Sequence, residues 1–80
     1  MFFVYAIYSE KFDKIYIGFS SDLEQRLISH NTLATKGWTL KYRPWVLFYF
    51  EEFNTKKEAL QREKELKSYQ GRKFLRSKLP

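Results

Sequence analysis

The 80-residue chain has no cysteine, one histidine, one methionine, two prolines and three glycines. Without cysteine, disulfides and thiolate metal sites are excluded, and the chain reads as cytoplasmic. No apolar run approaches the ~20 residues needed to cross a bilayer, so no membrane partner is expected. Met1 leads straight into strand-like sequence. The basic start, apolar stretch and small-residue cleavage site of a signal peptide are missing, so none is expected. Repeats, low-complexity runs and linkers are also lacking, and residues 1–80 are expected to form one domain.

Aromatic side chains, by contrast, are plentiful. Eight Phe, six Tyr and two Trp, within a hydrophobic fraction of 44%, suffice for a compact core. The net charge of +6 is unevenly spread. From residue 67 onward the chain carries Lys67, Arg72, Lys73, Arg76 and Lys78 and no acid. Such a basic end attracts phosphate backbones through counterion release. The competing reading is a solvated helix that aids solubility. Charge leaves both open, because it speaks to partners and not to fold.

Phe2 to Ser9 has apolar side chains at both parities, which predicts a strand covered on both faces and hence central in its sheet. Residues 10–13 make a turn, and Lys14 to Phe19 returns as a second strand, with Gly18 freeing the backbone for a sharp exit. Ser21 and Glu24 are spaced as a capping box, so a helix is expected from Asp22 to His30 with Leu23 and Leu27 as its apolar seam. Residues 31–44 form a long connection ending in Arg43-Pro44, where proline blocks helix and launches a third strand, Trp45 to Phe50. Thr55 and Glu58 give a second capping box for a helix to about Ser68. Gly71 is expected to break it, with a short basic helix over Arg72 to Leu79. The pattern ββαβα, with that last helix, indicates an α+β domain around a small three-stranded sheet.

Two side chains stand out against the amphipathic pattern. At about 100° per residue, Glu63 falls between Leu60 and Leu66 on the helical wheel and close to Ala59. A carboxylate there needs a partner. That partner is either a nearby arginine or a hard divalent cation, which prefers oxygen donors. His30 falls within about 40° of the Leu23 seam, with Arg26 on the adjoining flank. The pair is either structural or suited to phosphate contact and proton handling. Strand tyrosines usually pack their rings, and periodicity does not favour Tyr5 and Tyr16 over Tyr8, Tyr42 and Tyr49.

Spacing to a known family does. The sequence resembles the GIY-YIG nuclease superfamily, in particular its small bacterial members and the excinuclease catalytic subunit's N-terminal domain. The matching residues are Val4-Tyr5, Ile15-Tyr16-Ile17-Gly18, Ser21-Asp22-Leu23-Glu24, Arg26-Leu27, His30-Asn31, Arg43-Pro44-Trp45 and Glu58-Ala59-Leu60-Gln61-Arg62-Glu63. Three positions depart from the pattern: Phe3 replaces the first glycine, Phe19 stands where some branches carry lysine, and Leu75 where DNA-repair relatives carry asparagine. The resemblance implies a three-stranded antiparallel sheet flanked by helices. It also implies metal-dependent endonucleolytic hydrolysis of DNA, in a setting of repair or recombination. Tyr5, Tyr16, Arg26, His30 and Glu63 would be catalytic, with Glu63 holding Mg²⁺ or Mn²⁺. The basic tail residues Lys67, Arg72, Lys73 and Arg76 would contact backbone phosphates, and the sequence leaves open whether the chain acts alone, as a dimer or with a protein partner that supplies specificity. The alternatives are a non-catalytic nucleic-acid-binding module on the same fold, and an interaction module docking a protein through Trp38, Tyr42 and Trp45.

Overall fold

The structure, a computed structural model, describes residues 1–33 and 37–79. Strands β1 (Phe2–Ser9), β2 (Lys14–Ser20) and β3 (Val46–Phe53) form one sheet in the order β2-β1-β3. Both pairings are antiparallel. The expected α+β architecture, with β1 central, is therefore the observed one. β1 is apolar at both parities because both its faces are covered. Val4 and Ala6 pack with Ile17, Ala59, Leu66 and Leu75 on one side. Tyr5 and Ile7 pack with Trp45 on the other.

Helices α2 (Lys56–Leu66) and α3 (Tyr69–Arg76) cover the first face, and α1 (Leu23–Ile28) contributes Leu23 and Leu27 to the second. At the start of α2 Thr55 Oγ1 accepts from the Glu58 N–H at 3.2 Å and donates to its carboxylate at 2.9 Å. Thr55 is thus the expected cap, while the Glu58 carboxylate meets the Thr55 hydroxyl and not the Thr55 backbone N–H of a full capping box. On α2, Ala59 and Leu66 are buried whereas Leu60 is exposed, so Glu63 sits at the rim of the apolar stripe.

Several expectations are corrected. The cap of α1 is Asp22, not Ser21: its carboxylate accepts from the Gln25 N–H at 3.0 Å. Ser20 sets that register by accepting from the Asp22 N–H and donating to the Asp22 carbonyl, both at 2.9 Å. The α-helix ends at Ile28, and residues Ser29–Leu33 continue as a π turn that carries His30. The connection before β3 contains a 3₁₀ helix, Trp38–Tyr42; residues 34–36 of the connection lie outside the described residues. Strand β3 runs on through Glu51 and Glu52 because alternate side chains face opposite ways. Glu51 meets Arg62 in an ion pair at 3.0 Å, while Glu52 is exposed.

Gly71 does not break the helix. The break is at Ser68, which caps α3 by accepting from the Gly71 N–H at 3.1 Å. Gly71 lies inside α3 against the end of α2. A Cβ there would come within 2.3 Å of the Glu65 carbonyl and 2.4 Å of Leu66 Cα. Glycine is needed for the close approach of two backbones, which seats Leu66 and Leu75 together in the core.

Candidate active site

Tyr5 projects from the centre of β1 onto the face covered by α1, and only 2% of it is exposed. Its hydroxyl lies 2.7 Å from His30 Nε2. The other ring nitrogen, Nδ1, lies 3.1 Å from Thr39 Oγ1 on the 3₁₀ helix. Tyr16, from β2, closes the cluster, with its ring centroid 4.8 Å from that of His30 and 6.3 Å from that of Tyr5. The result is a buried chain of exchangeable protons, Tyr5–His30–Thr39, with Tyr16 packed on its flank.

The π turn aims His30 inward, and neighbouring residues hold it there. Arg43 Nε donates to the His30 carbonyl at 2.6 Å, and Arg43 Nη2 to the Ser29 carbonyl at 3.3 Å. Asn31 is tied to the Trp45 backbone in both directions: its amide donates to the carbonyl at 2.9 Å and its oxygen accepts from the N–H at 2.6 Å. Trp45 Nε1 donates to the Thr39 carbonyl at 2.8 Å. Thr39, Asn31 and Arg43 therefore position the histidine, and helical periodicity pointed to none of them. Asn31 and Arg43 lay within matched motif segments, and Thr39 carried no sequence signal. The structure also removes most of the docking surface considered for Trp38, Tyr42 and Trp45. Trp45 is buried and Tyr42 half-buried, and the three rings pack on one another at 4.7 and 5.8 Å.

Burial holds the proton on the Tyr5 hydroxyl well beyond the usual tyrosine range. Tyr16 adds to the shift, Arg26 opposes it and Glu63 adds again. Arg26 is exposed and forms no ion pair among the described residues. It lines a hollow of about 220 Å³ together with Lys56 and Phe19. Lys56 Nζ lies 5.8 Å from the Phe19 ring centroid, so α2 brings a second cation to this hollow. The Glu63 side chain is 19% exposed and pairs with Lys67 Nζ at 3.4 Å, not with an arginine. Lys67, Arg72 and Arg76 share a groove of about 580 Å³ along β2, whereas Lys73 is exposed outside its lining.

Burial, reinforced by Arg26 and Arg43, pulls His30 below its ordinary value of 6.5, so the ring is neutral at pH 7. The unfolded chain takes up this proton first as pH falls, so the folded state loses stability below about pH 6.5 and keeps it above. Asp13 and Glu65 are shifted down, so their contributions are lost only in more acid solution. Urea midpoints of the wild type are expected to fall between about pH 6.5 and 5. The His30→Gln variant, though less stable throughout, should give a flatter profile in that window. Parallel profiles would refute the assignment.

The GIY-YIG catalytic domain matches residues 1–75 of the chain. The chain belongs to the GIY-YIG family. Similar proteins include a UPF0213 protein of Staphylococcus saprophyticus, 42% identical over 78% of this chain and 76% of its own length. A second, from Bacillus pumilus, is 39% identical over 74% of this chain and 60% of its own. A third, from Staphylococcus haemolyticus, is 35% identical over 82% and 80%. No solved structure gives a significant match.

Family membership explains why the second signature keeps its glycine while the first has lost one. Gly18 is the cross-strand partner of Tyr5, and the Tyr5 ring lies over it. A Cβ on Gly18 would stand 2.7 Å from the Tyr5 hydroxyl oxygen and 3.1 Å from Tyr16 Cε2. Phe3, where the first GIY-YIG glycine is replaced, shares the Tyr5 face of β1, lining a hollow with Leu23 and Leu27, and meets Phe50 edge-on at 6.2 Å. Nothing in that position requires a bare backbone. Leu75, where DNA-repair members carry asparagine, is fully buried in the core between sheet and helices, so this chain uses the position for packing.

Proposed function

We propose that this chain is a metal-dependent endonuclease that hydrolyses DNA phosphodiester bonds. The observation that carries the reading is the buried Tyr5–His30–Thr39 hydrogen-bonded chain with Tyr16 packed on its flank. A packing cluster has no use for that arrangement.

Among the described residues no three His, Asp or Glu side chains come together, so an all-protein metal cage is absent there. A lone, largely shielded carboxylate suits Mg²⁺ or Mn²⁺ that keeps several waters and completes its shell with phosphate oxygens. Glu63 would hold the ion, which supplies Lewis-acid polarisation of the phosphate when bound. Lys67 would leave Glu63 for the DNA backbone.

The chain's own groups do the rest. Arg26 binds the non-bridging oxygens and strengthens its hold as charge builds on them. Tyr5 stays protonated, so it does not act as a resting tyrosinate. Its oxygen accepts a hydrogen bond from the attacking water while its own proton points to His30 Nε2. As water attacks phosphorus, the bond to the leaving sugar oxygen breaks and that oxygen takes a proton from solvent. One proton of the water moves onto the Tyr5 oxygen and the Tyr5 proton moves to neutral His30, leaving an imidazolium that afterwards returns its proton to solvent. Thr39 accepts from Nδ1–H throughout. The relay avoids the poor basicity of a phenol whose free pKa is near 10. Tyr16 excludes water from one side of the path. Lys67, Arg72, Lys73 and Arg76 contact backbone phosphates without reading sequence. A protein partner supplies specificity in repair or recombination.

Plasmid nicking tests the reading. Cleavage is expected with Mg²⁺ or Mn²⁺ and not with EDTA. Arg26→Ala should reduce it about 10²-fold, the cost of removing one transition-state donor. Tight DNA binding with no cleavage in either metal would overturn the reading in favour of a non-catalytic binding module.

A further inference from the structure

The proton relay leaves unused the groove along the free edge of β2. Its lining includes Lys14, Tyr16, Trp38, Lys67, Arg72 and Arg76. The acid beside them, Asp13, is taken up by Arg76 Nη1 at 2.6 Å, so the groove presents positive charge. At about 580 Å³ it is within the range of pockets that hold ligands of nucleotide size.

Trp38 is the feature that charge does not explain. It is 47% exposed, although a tryptophan of this size normally buries most of its surface. Its position is built from beneath. Gly37, at φ 115°, turns the chain into the 3₁₀ helix. The indole then rests on Tyr42, Trp45 and Tyr16, at centroid distances of 4.7, 5.8 and 6.3 Å. Tyr16 lies nearly parallel to it, at 29°. An indole supported by three aromatic neighbours is a rigid plate. Contacts to phosphates alone need no such plate. In a duplex the base faces are already stacked on each other, so an exposed plate gains little there. In a single strand every base has a free π-face, and a basic groove with an aromatic platform is what binds it.

We propose that Trp38 is a stacking platform for an unpaired nucleobase and that the strand occupying the β2 groove is single-stranded DNA. The polymer's identity rests on the nuclease reading, which the proposal deepens by naming the form of the strand. Lys14, Lys67 and Arg72 hold the backbone on either side of the stacked base. Tyr16 joins the groove to the Tyr5–His30 pair, so the phosphate beside the stacked base is the one presented for cleavage.

Binding measured in EDTA tests this apart from any cleavage. The probes are an oligothymidylate of about 20 nucleotides, longer than the ~4–16 that comparable single-strand sites occupy, and a duplex of the same length. The wild type should bind the oligothymidylate more tightly, with quenching of tryptophan fluorescence. Because Trp45 is buried, that quenching should vanish in Trp38→Phe, while affinity is mostly kept. Trp38→Ala should lose about 10–100-fold on the oligothymidylate and no more than about twofold on the duplex, where phosphate contacts dominate. Equal losses on both probes, no loss on either, or tighter duplex binding by the wild type would overturn the proposal. Cleavage of duplex alone would also overturn it and leave the nuclease reading standing. The expected binding pattern without cleavage in any metal would do the reverse.

Discussion

Replacing Glu63 with glutamine is expected to reduce Mg²⁺-supported DNA cleavage by about 10³-fold, equivalent to several kcal/mol of charge stabilisation in the transition state. Fold and DNA affinity should be nearly unchanged. The separation is possible because the Glu63 contact seen in the structure is weak. Its pair with Lys67 spans one helical turn, and the lysine is 49% exposed. Pairs of that kind contribute at most about 1 kcal/mol. Glutamine keeps the size and the hydrogen-bonding oxygen but loses the charge a divalent ion needs. It also frees Lys67 for the DNA backbone, so binding should hold or tighten slightly. Cleavage in Mg²⁺ and Mn²⁺, set beside binding in EDTA and a urea midpoint, gives the three readouts. Undiminished cleavage would remove the metal from Glu63. Loss of binding in step with cleavage would make the residue structural.

Much of this architecture was legible in the residues because it is local or periodic. Apolar side chains at both parities of Phe2–Ser9 require cover on two faces, and β1 is indeed central. Thr55 and Glu58 bond each other across three residues, as their spacing foretold. What escaped was set by single-residue shifts and by contacts between distant segments. The π turn widens the helix by a fraction of a residue, which an ideal wheel does not represent, yet it orients His30. Gly71 looked like a helix stop because glycine commonly is one. Its actual role depends on a neighbouring helix passing within contact of its Cα. Thr39 meets His30 across a connection of irregular shape, and no periodicity links the two. The residues matched to the GIY-YIG family were thus readable as a set, while those that hold His30 in place depend on the folded connection.

Gly18→Ala tests how tightly the site is bound into the sheet. It is expected to lower stability by about 1–3 kcal/mol, the usual penalty for one methyl forced into a packed interior. Cleavage should fall at least 10²-fold through misplacement of Tyr5. The new methyl would meet the Tyr5 hydroxyl oxygen at 2.7 Å and Cζ at 2.9 Å, well inside contact distance. Tyr5 cannot step aside easily. It is 2% exposed, bonded to His30 and wedged beside Tyr16. The adjustment therefore breaks the 2.7 Å link to Nε2 or opens the β1–β2 pairing. A double-mutant cycle with Tyr5→Phe separates this steric account from a general weakness of the strand. Removing the hydroxyl takes away the nearest clashing atom, so part of the alanine penalty should be relieved in the double variant. The two stability changes then sum to more than the double change, and the excess measures the contact. Strict additivity would mean that the methyl and the tyrosine do not meet. Full relief is not expected, because Cζ stays within 2.9 Å of the added carbon. The double variant should also remain slow in cleavage, since the hydroxyl that would orient the water in the proposed mechanism is gone. A steric cost that Tyr5→Phe eases in folding but not in cleavage is the behaviour of a glycine kept to seat a working tyrosine.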